Sequence, residues 1–399
     1  MKPPTKTPVS DSPAGLVGQS VDAIDTPALV VDLDAMKRNL ARMAEFARQH
    51  AIRWRPHAKM HKSVELAQLQ VQAGAVGVCV QKTAEAEVMA AGGIRDIYIS
   101  NEVVAPSRLA RVAALAHQLA AQNGRLAIAV DSMEGVARLA QAVGAARDPH
   151  GDRTSVIDVF VEIDVGQGRC GVAPGDAAVA LAMEIRKHPA LRFAGLQAYQ
   201  GKAQHLRGAQ ERRDAIAAAV GGVMFTRKQL QAQGIAAELV TGAGTGSMVC
   251  EAASGVFGEL QAGSFMFMDA DYDRNERDPA QPRFEHALFV KARVISANER
   301  HAVCDAGHKS HAIDSGLPQV LALGGDSELE YFNGGDEHGI LRPAGPDLRL
   351  PAIGRTLWLV PGHCDPTVNL HDVMIGVSGG LQRGTVERII RVDARGALT

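Results

Sequence analysis

The chain has 399 residues, enough for two or three domains of about 150 residues each. Its 42 Lys and Arg against 44 Asp and Glu give a formal charge of −2, which does not favour nucleic acid or an anionic membrane as a partner. Aromatic residues make up only 4%, too few for extensive stacking on bases. We therefore expect a small-molecule substrate, with no nucleic acid and no membrane as partner.

The cysteines and the N-terminal sequence predict a cytoplasmic protein. The 5 cysteines are scattered and never arranged as C-x-x-C, which argues against a disulfide framework or a thiolate zinc site. Residues 1–13 lack the apolar segment of a signal peptide, and no later stretch offers about 18 uninterrupted apolar residues. We expect a reducing compartment.

Strand-like and helix-like segments alternate after an irregular N-terminal arm. Residues 1–25 are rich in Pro, Ser, Thr and Asp and predict this arm. Short β-branched or apolar segments predict strands at 28–33, 52–59, 77–81, 96–101, 126–130, 156–165, 193–199 and 238–241. Apolar residues at helical spacing predict helices between them, among others at 36–49, 84–91, 106–122 and 135–143.

This alternation predicts an α/β fold, a TIM-like (β/α)8 barrel over residues 26–282. A doubly wound open sheet with so many units would be less usual. From residue 283 onward, short segments separated by Gly and Pro replace the helical periodicity. They predict a second, mainly β C-terminal domain over residues 283–399.

Lys59 ends the second predicted strand, next to Arg55, His61 and Lys62. Functional groups of such barrels lie at the C-terminal ends of the strands. An amine close to other cations and removed from water loses its proton readily, which suits a Schiff-base nucleophile. The alternative interpretation is a basic surface turn, since most lysines are exposed.

The loop after the sixth predicted strand carries Gly166, Gly168 and Gly171 around Arg169. Glycines permit a ligand to approach the backbone closely, and an arginine offers a planar set of donors. The alternative is a flexible loop with a solvated arginine.

The eighth predicted strand leads into a Gly- and Thr-rich turn at 241–247, and Gly263 and Ser264 follow. Backbone N–H groups and hydroxyls in such turns bind phosphate near the last strands of a barrel. The third glycine of the turn comes too early for a dinucleotide fingerprint, and the sequence has no Walker A, H-E-x-x-H or G-x-S-x-G motif. NAD-linked and serine-hydrolase chemistry are therefore disfavoured.

His363 and Asp365 form a candidate metal pair. If the segment is extended, positions i and i+2 face the same way, so both side chains can meet at one cation while Cys364 points elsewhere. A structural Asp-Pro turn with a hydrogen-bonded histidine is the alternative. His205, in the loop after the seventh predicted strand, is a candidate base or an exposed loop histidine.

Together these motifs resemble the D-threonine aldolase family. That family includes D-3-hydroxyaspartate aldolases and belongs to the alanine-racemase-like, fold type III pyridoxal-phosphate enzymes. The motifs that carry the resemblance are residues 55–59, 165–171, 241–246, 261–264 and 363–367. The similarity extends from about Thr26 to Ala397, nearly the whole chain.

The resemblance implies a role for each site residue. Lys59 would bind pyridoxal phosphate as a Schiff base, and Arg169 would face the pyridine nitrogen. Further residues implied to contact the cofactor are Gln81, Tyr199, Gly244, Thr245, Gly246, Gly263, Ser264 and Tyr272. His363 and Asp365 would bind a divalent metal that holds the β-hydroxyl of the substrate, and His205 would be the catalytic base.

The implied reaction is retro-aldol cleavage by a carbon–carbon lyase. D-threonine or D-3-hydroxyaspartate would give glycine plus acetaldehyde or glyoxylate. Related metal-dependent dehydratases for D-serine and 3-hydroxyaspartate are the main alternative, but their typical metal pair is His with Cys two positions later. Asp365 favours the aldolase branch and the harder cations Mn²⁺, Mg²⁺ or Co²⁺.

Two protein classes that share this scaffold are less favoured. An amino-acid racemase would leave the metal pair without a purpose, and a non-catalytic pyridoxal-phosphate carrier would lack the β domain. The resemblance also implies a homodimer. Selection between a methyl and a carboxylate β-substituent is left open, with Arg55, His61 and His308 as candidates.

Overall fold

The computed structural model describes residues 13–146, 155–321, 323, 328–345 and 349–399. Its strands are β1 Ala28–Asp32, β2 Arg53–Trp54, β3 Val78–Val80, β4 Asp96–Ile99, β5 Arg125–Val130, β6 Ile157–Glu162, β7 Leu191–Ala198, β8 Leu239–Gly242, β9 Glu259–Leu260, β10 Leu288–Ala297, β11 Ala302–Cys304, β12 Gln319–Val320, β13 Leu329–Asn333, β14 Gly339–Pro343, β15 Thr356–Val360, β16 Val373–Ser378 and β17 Thr385–Arg391. Its helices are α1 Leu33–Gln49, α2 Val64–Gln72, α3 Thr83–Ala91, α4 Pro106–Ala121, α5 Met133–Ala145, α6 Asp176–Ile185, α7 Ala209–Ala232, α8 Met248–Ala253, α9 Ala270–Asp273 and α10 Cys364–Val368.

The chain divides into two compact units. The barrel unit comprises Arg38–Phe284 and Val392–Thr399. The β unit comprises residues 13–37 together with the described part of Glu285–Arg391. The sequence analysis placed residues 26–282 in the barrel and residues 283–399 in the β domain. In the structure, the described residues up to Lys37 belong to the β unit, and the last eight residues belong to the barrel unit, where the N–H of Ala394 donates to the carbonyl of Lys62 (2.9 Å).

The barrel unit contains eight parallel strands in the order β2-β9-β8-β7-β6-β5-β4-β3. An isolated parallel bridge between His57 and Cys79 joins the two ends of this order and closes the barrel. Closure places the C-terminal ends of all the strands around one rim, where functional residues of such barrels lie. The predicted α/β barrel is confirmed.

Small and aromatic side chains fill part of the barrel interior. Cys79, Ala127 and Ala129 form a buried cluster with Tyr98 and Phe160, whose ring centroids lie 4.9 Å apart. The alternation of small with large residues lets neighbouring strands approach while the rings fill the space between them.

The first predicted strand of the barrel is assigned to the wrong sheet. β1 lies in the β unit, where Val30 pairs with Phe289 of antiparallel β10 and with Ile375 of parallel β16. The eighth barrel strand is instead β9, which has only two residues and was not predicted because so short a segment has no measurable periodicity. An apolar β-branched segment indicates a buried strand but not which sheet it joins.

The β unit has a mixed sheet in the order β13-β14-β11-β10-β1-β16-β17, with β15 also pairing β10 and β12. The ten-residue strand β10 connects the part of the sheet formed by β13, β14 and β11 to the part formed by β1, β16 and β17. The described part of the predicted irregular arm, residues 13–25, attaches to this unit, because the N–H of Gly18 donates to the carbonyl of Val386 (2.9 Å). Residues 1–12 of that arm lie outside the described residues.

One lysine of the β unit is buried against this arm. The Lys291 Nζ donates to the carbonyls of Val21 (2.8 Å) and Ile24 (2.6 Å), and burial lowers its pKa.

Among the described residues, no helix is both long and apolar enough to cross a membrane.

Candidate active site

The predicted cofactor residues lie on segments that follow the barrel strands. Lys59 follows β2, Gln81 follows β3, Arg169 follows β6, and Tyr199 and His205 follow β7. Gly244, Thr245 and Gly246 follow β8, and Gly263, Ser264 and Tyr272 follow β9. Because the strands are parallel and closed, the rim brings together residues that are more than 200 positions apart in sequence.

Lys59 lies in a 3-10 turn, Ala58–Met60, in the segment that follows β2. Ala58 and Met60 are each only 1% exposed, whereas Lys59 is partly exposed. The turn therefore anchors the backbone in the core while the lysine side chain remains accessible. This placement favours the functional interpretation over the basic surface turn.

The segment before Lys59 is held by polar and steric contacts. Nε2 of His57 lies 2.9 Å from Nε2 of Gln81 and 3.3 Å from Oγ of Ser100. A Cβ added at Gly263 would lie 2.9 Å from the carbonyl oxygen of His57, so this position requires glycine for the close approach of two backbone segments. Gln81 and Gly263 thus fix the backbone that carries Lys59.

The turn after β8 contains one strained residue, and some of its predicted phosphate contacts are already hydrogen-bonded within the protein. Ala243 has φ 71°, a left-handed conformation that costs a residue with a Cβ roughly 1–2 kcal/mol. The N–H of Gly246 donates to Oε1 of the buried Gln204 (3.0 Å), and Thr245 Oγ1 accepts from the N–H of Phe265 (3.0 Å). Two of the predicted phosphate contacts therefore already have protein partners, and Gln204 was missed by the sequence analysis.

Behind this turn lies a fully buried carboxyl group. Ser247, which accepts from Gln204 Nε2 (2.7 Å), donates to Oε1 of Glu251 (2.8 Å). The second carboxyl oxygen, Oε2, is buried and has no hydrogen-bond partner among the described residues. Burial raises the pKa of Glu251 from 4.5 to about 7, although the Ser247 hydroxyl acts in the opposite direction.

This carboxyl group predicts a pH-dependent stability. Between about pH 4.5 and 7 the unfolded chain releases the proton of Glu251 while the folded chain keeps it, so wild-type stability falls as pH rises. Glu251→Gln should therefore gain stability relative to wild type across this window, by at most about 1.4 kcal/mol per pH unit in urea unfolding. Glu134→Gln, at an exposed carboxylate of α5, is the control. A constant difference between Glu251→Gln and wild type would contradict the prediction.

Arg169 packs on Tyr199 and faces a carboxyl group. Its guanidinium carbon lies 5.7 Å from the ring centroid of Tyr199, a cation–π arrangement, and Nη2 lies 3.9 Å from Oε1 of Glu162. The Arg169 side chain is 48% exposed. The sequence prediction of a ligand-facing arginine is compatible with this exposure, and Tyr199 is the aromatic side chain that supports it.

A cluster of possible ligand atoms, and a buried carboxyl group facing Arg169, were missed by the sequence analysis. Glu102, Asp131 and Cys170 place one potential ligand atom each within 4.8 Å of one another. Burial, together with the charge of Glu102 and a hydrogen bond to it, raises the pKa of Glu162 to about 8. Glu102, Asp131 and Glu162 come from the ends of three different strands or the loops that follow them, so no local motif identifies them as a group.

His205 ends a 3-10 turn, Lys202–His205, and has an ordered partner. Its Nδ1 lies 2.6 Å from Oδ2 of Asp271, and its ring stacks on Tyr272 with centroids 6.3 Å apart and planes at 27°. The His205 side chain is 52% exposed, whereas that of Asp271 is 3% exposed. His205 is thus an accessible imidazole on a buried carboxylate, which is a suitable arrangement for a general base.

The predicted metal pair lies in the β unit at the N-terminus of α10, the short helix that follows β15. Nε2 of His363 and Oδ1 of Asp365 lie 3.9 Å apart, with side chains 19% and 15% exposed, and Cys364 is fully buried. The segment is not extended throughout: His363 has extended backbone at the N-cap, and Asp365 lies in the first turn of the short helix α10. The two side chains meet because the chain turns into this helix.

Sequence comparison gives two matched domains. Residues 31–271 match the model described as alanine racemase, N-terminal domain, and residues 287–377 match the putative serine dehydratase domain. A 3-hydroxy-D-aspartate aldolase from Paracoccus denitrificans (strain Pd 1222) is 42% identical over 97% of this chain and 96% of its own. A D-threonine aldolase from Arthrobacter sp is also 42% identical, over 96% of each chain. The chain belongs to the D-threonine aldolase and 3-hydroxy-D-aspartate aldolase family.

Structure comparison agrees with this family. The crystal structure of D-threonine aldolase from Filomicrobium marinum has a TM-score of 0.89 and 44% identity, covering 97% of this chain and all of that chain. A D-threo-3-hydroxyaspartate dehydratase from Delftia sp. (strain HT23) is more distant, at 30% identity over 86% of this chain and 92% of its own. The predicted carbon–carbon lyase class, and the aldolase branch rather than the dehydratase branch, are confirmed.

Two candidates for β-substituent selection in this aldolase-family chain have structural roles instead. Arg55 is 5% exposed and forms ion pairs with Asp96 (2.5 Å) and Glu259 (3.0 Å). Burial alone would lower its pKa, but these two carboxylates outweigh burial and keep the guanidinium charged. His61 is fully buried and its Nε2 lies 3.2 Å from Oε1 of Gln70. Neither side chain is available to a substrate.

The donor set of the barrel rim fits pyridoxal phosphate, which the alanine-racemase-like fold family implies. The amine of the partly exposed Lys59 suits the cofactor aldehyde, and the hydroxyl and backbone donors of Thr245, Gly263 and Ser264 suit its phosphate. In the β unit, the imidazole nitrogen and carboxylate oxygen of His363 and Asp365 suit a divalent cation of intermediate to hard character.

Proposed function

We propose that this protein catalyses pyridoxal-phosphate- and divalent-metal-dependent retro-aldol cleavage of D-3-hydroxy amino acids. D-threonine or D-3-hydroxyaspartate would yield glycine plus acetaldehyde or glyoxylate. The observation that carries the proposal is the accessible His205 imidazole on Asp271, at the same barrel rim as Lys59, in a chain 42% identical to two aldolases. The substrates named for these relatives both carry a hydroxyl whose proton a base must remove.

Lys59 and the rim residues would bind and orient the cofactor. The Lys59 amine would form the covalent bond to it, and the donors of Gly244, Thr245, Gly246, Gly263 and Ser264 would bind its phosphate, with Gln204 giving up the N–H of Gly246. When bound, pyridoxal phosphate supplies an electron sink for the bond electrons released on Cα–Cβ cleavage. Because Arg169 cannot give up its proton, it would orient the pyridine ring without protonating it.

His205 would act as the general base. Its imidazole would take the proton of the β-hydroxyl directly or through one water, so that the C–O group can collapse to the carbonyl of the leaving aldehyde. Its partial exposure leaves space for a substrate against the ring, and stacking on Tyr272 restricts rotation of that ring.

His363 and Asp365 would hold the metal, with Mn²⁺, Mg²⁺ or Co²⁺ as the expected ions. Two protein ligands leave coordination positions for water and substrate, and a bound cation acts as a Lewis acid toward a substrate hydroxyl. Cys364 is fully buried and therefore does not supply the thiolate that a zinc-type pair would use.

Product analysis tests the proposal. Purified protein is incubated with D-threonine, pyridoxal phosphate and Mn²⁺, with a chelator-treated sample as control. Metal-dependent glycine and acetaldehyde are expected. Formation of 2-oxobutanoate and ammonia would assign the dehydratase reaction instead. Homodimerisation and a cytoplasmic location stay predictions from the sequence.

Replacing His205 tests the base. His205→Gln should leave cofactor and metal content unchanged yet lower kcat by roughly 10²-fold or more, because the positioned proton acceptor is lost. Steady-state kinetics with D-threonine, with cofactor absorbance and metal analysis of the same sample, measure this. His338→Gln, at an exposed histidine of the β unit, serves as control. Unchanged turnover in His205→Gln would mean that another group removes the proton.

A further inference from the structure

Asp271 is held from several sides in the barrel unit. Its Oδ1 accepts from Nη2 of Arg207 (2.5 Å) and Nη2 of Arg274 (3.3 Å), while Oδ2 faces Nδ1 of His205 (2.6 Å). Arg207 also donates through Nη1 to the backbone carbonyl of Asp271 (2.6 Å) and to Oδ1 of Asn275 (2.7 Å). The carboxylate therefore has one oxygen assigned to the two arginines and the other to the histidine.

These contacts keep the carboxylate ionised. Burial by itself raises the pKa of Asp271, but the hydrogen bonds and charges of His205 and Arg207 outweigh burial and hold the pKa well below its usual range. An ionised carboxylate can only accept hydrogen bonds. The short contact at Oδ2 therefore requires a proton on Nδ1 of His205, which leaves the lone pair of the neutral imidazole on Nε2.

We propose that Asp271 is the positioning residue of this active site, which fixes the His205 ring in the Nδ1–H tautomer and thereby directs the basic Nε2 to the substrate hydroxyl. Arg207 and Arg274 contribute by fixing which carboxylate oxygen faces the imidazole. This inference rests on the proposed role of His205 as base. It adds Asp271, which lies 66 positions from His205 in sequence, as a residue that the base requires.

Asp271→Asn gives a specific expected result because of the two arginines. They would retain the carboxamide oxygen at the Oδ1 position, since a guanidinium only donates, and so the carboxamide NH₂ would face Nδ1 of His205. That NH₂ group is a donor, so the ring proton must move to Nε2 and the base is blocked. In a Ser-His-Asp triad, the same change of tautomer lowers kcat about 10⁴-fold.

The test combines kinetics with a spectroscopic readout. In holoenzyme labelled with ¹⁵N-histidine, His205, assigned by comparison with His205→Gln, should show the Nδ1–H tautomer. Asp271→Asn should show the Nε2–H tautomer, and its kcat should fall roughly 10²-fold or more with KM nearly unchanged. Asp271→Glu, which retains an acceptor, should keep the wild-type tautomer and recover part of the turnover.

Asp273→Asn is the matched control. It removes the same charge from the same short helix at an exposed residue, and it should retain turnover within about twofold. The wild-type tautomer can be measured even if Asp271→Asn does not fold, and an Nε2–H tautomer of His205 in wild type would overturn the inference.

The outcomes separate this inference from the proposed function. If His205→Gln is slow but Asp271→Asn is as fast as wild type, His205 is the base and Asp271 does not position it. If His205→Gln itself is as fast as wild type, the proposed base is wrong and the inference falls with it.

Discussion

Lys59→Ala should abolish both activity and the absorbance of bound cofactor near the visible edge. Lys59 is the partly exposed lysine that follows β2 at the rim, and its replacement would remove the group that we propose to bond the cofactor aldehyde. Removal of a covalent catalyst typically costs several orders of magnitude, so we expect a loss in kcat of roughly 10⁴-fold or more. Absorbance spectra after dialysis and single-turnover assays measure the two effects.

Lys59→Arg is the matched variant for this experiment. It keeps a positive charge on a long side chain but cannot form the covalent bond, so it separates charge from nucleophilicity. Borohydride reduction of wild type, followed by mass spectrometry, should place the cofactor on the peptide that contains Lys59. A variant that retained the absorbance, or a label on another lysine, would refute the assignment.

His363→Ala and Asp365→Ala should each remove bound metal and activity together. Each substitution leaves one protein ligand of the pair whose atoms lie 3.9 Å apart, and a single ligand holds a divalent cation poorly. Metal content after gel filtration should fall below wild type, and kcat should fall on the order of 10²-fold or more at a Mn²⁺ concentration that saturates wild type. High Mn²⁺ should restore part of the activity.

His338→Ala controls for the loss of a histidine from the β unit, since this residue is exposed in the segment between β13 and β14. It should retain wild-type metal content and activity. An active His363→Ala or Asp365→Ala variant without metal would exclude the proposed metal pair. Loss of metal with full activity would show that the ion at this position has no part in catalysis.

Most of the barrel could be predicted because its signals are local. The helices α3 and α4 begin and end within one residue of their predicted bounds, since apolar spacing and capping are encoded within the segment itself. β1 is the instructive error: its apolar, β-branched sequence correctly indicates a strand, but its pairing with β10 and β16 depends on residues more than 250 positions away. No local pattern contains that information.

The candidate site shows the same difference between local signals, which the sequence contains, and long-range contacts, which it does not. Lys59, Arg169, His205, His363 and Asp365 were predicted because reactive side chains stand beside glycines, prolines or strand ends in recognisable segments. Gln204, Asp271 and Glu162 were not predicted, since an isolated glutamine or carboxylate in a sequence gives no sign of its partner. Arg55 was left as one candidate for substrate selection for the same reason, because its ion pairs with Asp96 and Glu259 form only in the folded chain.

The sequence by itself therefore determined the family, the alternating strands and helices and the reactive residue types, all of which follow from short-range periodicity and contiguous motifs. Only the tertiary structure decided which sheet β1 joins, which carboxyl groups are buried and which carboxylate faces the His205 ring. The physical reason is that strand pairing, desolvation and hydrogen-bond partners depend on groups brought together by packing, across separations such as the 66 residues between His205 and Asp271.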